Sequence, residues 1–264
     1  MSEAIGIVVP SALLFGAYLW LAARAGRRSA GTADSAASTG SPGSGSARST
    51  APTPWPWTRT AYFAGGLAAV GAGVGFDDIS LPIHMAGHGV VVAVGAPLLV
   101  LSRPMTLLLR ALPRPAARDL VAALRAPWLR RLLWPPLAFA AFVAAQLAFH
   151  LTPLFWDALR DEGLHAAEHL IFLLTALWLW SVCLAVEPLP GRWDAWARAG
   201  LLMAAMSASD SGAVKLMLDG YGAAGVAMLA SMLPLGLGAA AIAWREVLRE
   251  ERRARRREVA HAAG

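Results

Sequence analysis

Apolar residues run along this chain in long blocks with no strict alternation, and polar residues collect between the blocks. Seven blocks predict helices at roughly 4–23, 60–76, 84–101, 132–150, 166–186, 196–212 and 221–244. Each is near the roughly 17–25 residues that carry a helix across a bilayer. The second is short and Gly-rich (AYFAGGLAAVGAGVGF), and SASDSG is expected to end the sixth early. The ten-residue alternation of a membrane barrel is missing. The pattern therefore predicts an all-α fold: a polytopic transmembrane helical bundle of about seven spans. A first span over 1–24 is followed by a Ser-, Gly-, Ala- and Pro-rich stretch over 25–58, too poor in large apolar groups to bury a core, which reads as a disordered cytoplasmic linker. A six-span membrane core over 59–246 and a basic cytoplasmic tail over 247–264 complete the division. The opening MSEAIG has no basic stretch ahead of the apolar run, so the first span is expected to stay rather than be cleaved as a signal.

Composition agrees. The chain is 57% hydrophobic and 15% charged, with a mean hydropathy of +0.52, against about 25% charged in a soluble domain. A single cysteine, Cys183, excludes an internal disulfide and any CxxC motif. The net charge of +6 points to topology rather than to nucleic acid, because 21 of the 23 Lys and Arg fall in alternate loops and the tail, leaving only Arg160 and Lys215 on the other side. Basic loops stay cytoplasmic. The expectation is an N-terminus outside and a C-terminus inside, which needs an odd number of spans. The tail REVLREERRARRRE is read as a topology signal with attraction to anionic lipid.

With that direction fixed, five of the six histidines land on one face. His84 and His88 open the third span, His150 closes the fourth, and His165 and His169 open the fifth; His261 lies in the tail. Each pair is spaced i, i+4, so both rings share one side of a helix. Two such helices could bring four imidazole nitrogens together about one turn deep, a metal-binding pattern that buries no charge. Nine carboxylates share the outer side, and Asp77, Asp78 and Glu168 are placed in sequence to orient histidine rings. Met85, Met206 and Met217 should lie outward, and Met228 and Met232 read as packing. Cys183 is about 21 Å along the helix from His169 and cannot join them. Two other readings stay open. HAAEH (165–169) fits the H-x-x-E-H pattern of zinc hydrolases, with Glu168 as general base. Haem between two histidines would make an electron-transfer protein.

The segment HMAGHGVVVAVGAPLLVLSRPMTLLLRALP resembles the CtaG family of multi-span cytochrome c oxidase assembly proteins. The resemblance rests on His84, Met85, His88, Pro97 and the turn Ser102-Arg103-Pro104. FHLTPLFW with His150 and Pro153, and HAAEHLIFLLTALWLW with His165 and His169, are similar to the family's other outer helix ends. DGYGAAGVAML loosely matches a late Asp…Gly…Met helix start through Asp219, Gly225 and Met228, with Gly220 where the family often has Gln. The resemblance covers roughly 60–245. It implies a bacterial membrane protein, an assembly factor rather than an enzyme. It would hold copper at the extracytoplasmic face for the catalytic subunit of cytochrome c oxidase, supplied by an extracytoplasmic copper donor. His84, His88, His165, His169 and His150 are then the expected ligands, with Asp77, Asp78, Met85, Glu168 and Asp219 in support.

Overall fold

The computed structural model describes residues 2–38, 54–76, 79–188 and 193–262, and every regular element in them is helical. They are α1 (Ser2–Ser38), α2 (Trp57–Gly75), α3 (Leu81–Gly89), a π-helical segment (Val90–Gly95), α4 (Ala96–Leu101), α5 (Pro104–Ala111), α6 (Arg114–Leu124), α7 (Pro127–Leu132), α8 (Pro135–Leu151), α9 (Leu154–Ala158), α10 (Glu162–Leu184), α11 (Ala195–Leu218) and α12 (Gly222–Ala262). Many start for local reasons. Proline occupies the first turn of α3 and of α5 to α8, where its missing N–H costs nothing. Asp161 and Asp194 cap α10 and α11, accepting from Leu164 N at 2.7 Å and Ala197 N at 2.9 Å.

Four stretches are long and apolar enough to cross a membrane: Leu81–Ala111, Glu162–Leu184, Ala195–Leu218 and Gly222–His261. Pro135–Leu151 is apolar but shorter. The protein is thus an all-α integral membrane protein. Several sequence expectations change. SASDSG does not end the sixth helix, because Ser207, Ser209 and Ser211 turn their hydroxyls back onto the carbonyls of Met203, Ala205 and Ala208 at 3.1, 3.0 and 2.6 Å. Their polar groups are satisfied inside the helix, which continues to Leu218. The stretch after Ser102, read as a loop, folds into α5, α6 and α7. The first helix continues past residue 24 to Ser38, and α12 carries the basic tail as helix to Ala262. Residues 39–53 of the expected linker lie outside the described residues, as do Asp77 and Asp78.

The third span is the most irregular. Pro97 has no N–H to give the carbonyl four residues back, and the helix widens to a π turn just before it. Trp180 of α10 meets one of the carbonyls there, donating Nε1–H to Val92 O at 2.9 Å. After α4, Arg103 takes a left-handed conformation (φ 55°) and turns the chain into α5. Buried Glu187 caps that helix, accepting from Met105 N and Thr106 N at 3.0 Å each and from Thr106 Oγ1 at 2.5 Å. The main core lies among α4, α8, α10, α11 and α12, around Phe142, Phe172, Leu179, Leu202, Met232 and Leu235, all fully buried. Close backbone approach is needed at Gly212 of α11, where a Cβ would sit 2.6 Å from His150 Cβ. Small residues that let membrane helices touch serve here to seat a histidine.

Candidate metal centre

The start of α3, the end of α8 and the start of α10 meet at one end of the bundle. His84 and His88 come from α3, His150 from α8, and His165, Glu168 and His169 from α10. The 3.6-residue turn puts each i, i+4 pair on one face. The two pairs interleave: ring centroids are 4.3 Å apart for His84–His88, 4.7 Å for His165–His169, 5.1 Å for His84–His165 and 4.7 Å for His88–His169. His150 stands 5.8 Å from His88. All but His165 are buried, and Glu168 is completely so. Its Oε1 lies 3.9 Å from His88 Nδ1.

One ligand atom each from His84, His88, His165 and Glu168 lie within 4.8 Å of one another. Donors around one ion at about 2.0–2.1 Å would be about 3–4 Å apart, so small side-chain rotations would close the set. The hydrogen bonds also orient donors. His150 Nδ1 is 2.9 Å from Gln146 O, and His169 Nδ1 is 3.3 Å from His165 O. A carbonyl only accepts, so both Nδ1 atoms carry the proton and both Nε2 atoms keep a lone pair. His84 Nε2, both nitrogens of His88 and His150 Nε2 are buried with no hydrogen-bond partner among the described residues. Leaving a buried polar atom unmet costs about 1–3 kcal/mol, so several such lone pairs turned inward suit an ion. The donor set, imidazole with one carboxylate, fits zinc, copper, iron or nickel.

The surrounding shell is apolar and aromatic. Phe172 stacks on His150 at 5.3 Å and lies 5.1 Å from His88, and Phe155 sits 6.3 Å from His84. Met85 is fully buried in a cluster with Phe155, Leu216 and Met228. The structure rearranges the expected roles. Glu168, expected to orient rings, puts its carboxylate among the four closest donors. His169 and His150 complete the circle of rings just outside those four. Asp219 does not support the site: it caps the exposed end of α11 in an ion pair with Lys215. Cys183 packs in the core. Gln146, fully buried one turn before His150, went unnoticed in the sequence; neither its amide oxygen nor its nitrogen has a partner among the described residues. The available signal was a lone amide in an otherwise apolar span, an expensive and usually functional placement.

Fold and site together define a polytopic helical membrane protein that gathers five histidines and a glutamate at one end of its bundle. Residues 43–250 match the family described as cytochrome c oxidase caa3 assembly factor (Caa3_CtaG), and the chain belongs to that family. It is also similar to two mycobacterial proteins, "Uncharacterized protein Mb0105" of Mycobacterium bovis (strain ATCC BAA-935 / AF2122/97) and "Uncharacterized protein MT0111" of Mycobacterium tuberculosis (strain CDC 1551 / Oshkosh). Each is 33% identical over 165 residues, covering 58% of this chain and 25% of the relative. The chain thus matches about a quarter of the length of these relatives. No solved structure matches it significantly.

Proposed function

We propose that the protein is a non-enzymatic assembly factor that holds copper at the extracytoplasmic face of the membrane and passes it to the catalytic subunit of cytochrome c oxidase. Family membership supports the oxidase as partner. The observation that carries the metal is the convergence of His84, His88, His165 and Glu168, with His169 and His150 beside them. The 21-to-2 split of basic residues supports the outward-facing site. Copper is the cargo, received from an extracytoplasmic donor. Imidazole suits delivery, because it binds borderline metals as a neutral donor that a partner's ligand can replace.

The chain's own residues have definable tasks. His165, the partly exposed member, is the first donor an incoming ion meets. His84 and His88 draw the ion inward, and Glu168 offsets one unit of its charge in a site with little water. The π turn after His88 and the bond from Trp180 to Val92 hold α3 in register with α10.

The test is oxidase maturation in the host membrane. His88→Ala should leave the protein inserted but lower its copper content and the activity of the host oxidase, and added copper should partly restore that activity. Unchanged copper content and oxidase activity would remove the proposal. A second reading, a zinc hydrolase, is favoured by one observation: HAAEH places Glu168 among the donors. Glu168→Gln separates the two: a metal ligand loses copper affinity, whereas a general base loses activity with the metal still bound.

A further inference from the structure

The outward side of α11 carries one charge. Trp196, Met203, Ser207, Asp210, Val214 and Leu218 recur at intervals of three, four or seven residues, so they form one stripe along the helix. All are exposed except Asp210, which is half-buried. The opposite side, with Ala199, Leu202, Ala205, Ser209 and Gly212, is buried against the bundle. Ala195–Leu218 is one of the apolar helices long enough to cross a membrane. Trp196 stands at its first turn, as indoles do at a membrane interface. Asp210 lies about 21 Å further along the axis, still inside a hydrocarbon layer about 30 Å thick.

Asp210 forms no hydrogen bond or ion pair with another of the described residues. The bases of its own helix are committed elsewhere. Lys215 pairs with Asp219, and Arg198 donates to Cys183 O at 2.6 Å and Trp193 O at 3.1 Å. The helices packed beside α11 are α8 and α12. Between them, α8 and residues 222–244 of α12 hold no lysine or arginine, and their one histidine, His150, meets Gly212 on the buried side. The neighbouring serines have turned their protons inward. Ser207 Oγ donates to Met203 O at 3.1 Å and Ser211 Oγ to Ala208 O at 2.6 Å. This part of α11 therefore presents acceptors only, a carboxylate flanked by two hydroxyl oxygens. Ionisable groups in membrane spans pair with one another or face the bundle interior. One that faces outward with no partner of its own calls for a partner outside the chain.

We infer that this face of α11 docks a transmembrane helix of the oxidase's catalytic subunit, one that carries an arginine, lysine or protonated histidine at the depth of Asp210. The inference rests on the oxidase being the partner, as proposed above, and adds where on this chain it binds. Charge complementarity selects the occupant, because a cationic donor meets three acceptors. A second copy of this chain, packed through the same face, would set carboxylate against carboxylate. A lipid ammonium stays at headgroup level, about 12 Å or more along the helix from Asp210. Small residues let the two helices approach closely: Gly200, Ala204 and Ser207 are all exposed on this side, and a Cβ added at Gly200 meets nothing within 4 Å.

The test places a photo-crosslinking amino acid at Val214, on this face, or at Leu237, exposed on α12, in the full chain in host membranes. Val214 should crosslink to the catalytic subunit, within a transmembrane peptide that holds Arg, Lys or His, and Leu237 should not. Asp210→Asn should lower that yield roughly three- to thirty-fold, the range of a polar contact between membrane helices, while the melting temperature and copper content of the purified variant stay unchanged. Ser207→Leu, which blocks the close approach, should lower the yield as well. A yield unaffected by Asp210→Asn would overturn the inference. So would a crosslink from Val214 only to a second copy of the chain or to lipid, or a captured peptide without a basic residue. Capture of the subunit from Leu237 and not from Val214 would overturn the docking face and leave the oxidase as partner. Capture from neither position would also overturn it, and if oxidase activity is unmoved in His88→Ala the proposed function falls with it.

Discussion

Replacing Gly212 by alanine tests whether α8 and α11 meet as described around His150. The new Cβ would lie 2.6 Å from His150 Cβ, 3.1 Å from its Cγ and 3.2 Å from Met228 Cε. Reaching ordinary contact at 3.4 Å or more requires a shift of at least about 0.8 Å from the first of these. That atom is next to the α8 backbone, so the strain falls on helix packing and not on a flexible tip. Overpacking of this kind costs about 1–3 kcal/mol. Gly200 on the same helix is the control, because a Cβ there meets nothing within 4 Å. Gly200→Ala should stabilise by about 1 kcal/mol through helix propensity alone. Gly212→Ala gains the same propensity term, so the two variants should differ by the overpacking alone, roughly 1–3 kcal/mol, a gap of roughly 2–12 °C in melting temperature for a chain of this size. Thermal unfolding of the purified protein in one detergent, followed by tryptophan fluorescence, would measure it. If Gly212→Ala melts with or above Gly200→Ala, His150 is not packed against α11 and the aromatic circle around the site is wrong.

Three further outcomes follow from other parts of the structure. Trp180→Phe keeps the ring but leaves Val92 O without its donor, and should destabilise by about 1–3 kcal/mol in the same melting assay; a neutral result would mean that the π segment does not depend on that bond. Reporter fusions at Ser44 and in the tail after Arg257 should both signal cytoplasm, and an external signal from either would place the histidine end on the wrong side. Glu168→Gln should weaken copper binding by about 10–100-fold if the carboxylate is a donor or holds one in place, with activity recovered by excess copper, whereas full metal content with oxidase activity abolished and no rescue would select the hydrolase.

Much of the site was visible as spacing. His84/His88 and His165/His169 are i, i+4 pairs at starts of apolar blocks, so their helical faces followed from periodicity alone. Glu168 was visible as a residue but not in its place. Its carboxylate enters the donor group only because the folded bundle brings His84 and His88 of α3 beside it, and a tertiary contact of that kind leaves no mark on spacing. Gln146 was hidden for a related reason, since one amide in an apolar span gives no hint of which neighbour it faces. Asp219 shows the opposite failure: proximity in the chain to an expected motif suggested support, while Lys215 one turn away had already claimed its carboxylate. Among the helices, SASDSG looked like a terminator because serine favours caps and turns. The competing option, hydroxyls bonding back to their own helix, won in an apolar setting where those groups have few alternatives. Pro97 stood in the sequence only as part of the resembling segment; that the helix absorbs its missing N–H as a π turn braced by Trp180 depends on a tertiary contact.

The ligand environment of bound copper shows whether the histidines hold the ion. X-ray absorption at the copper edge, on the purified full-length protein loaded with one equivalent of copper, reports donor type and distance. The expected result is a shell of nitrogen and oxygen scatterers at about 2.0–2.1 Å with the multiple-scattering signature of imidazole, lost or reduced in His88→Ala. A shell dominated by sulfur at about 2.3 Å, drawn from the methionines or Cys183 and unchanged in His88→Ala, would contradict it.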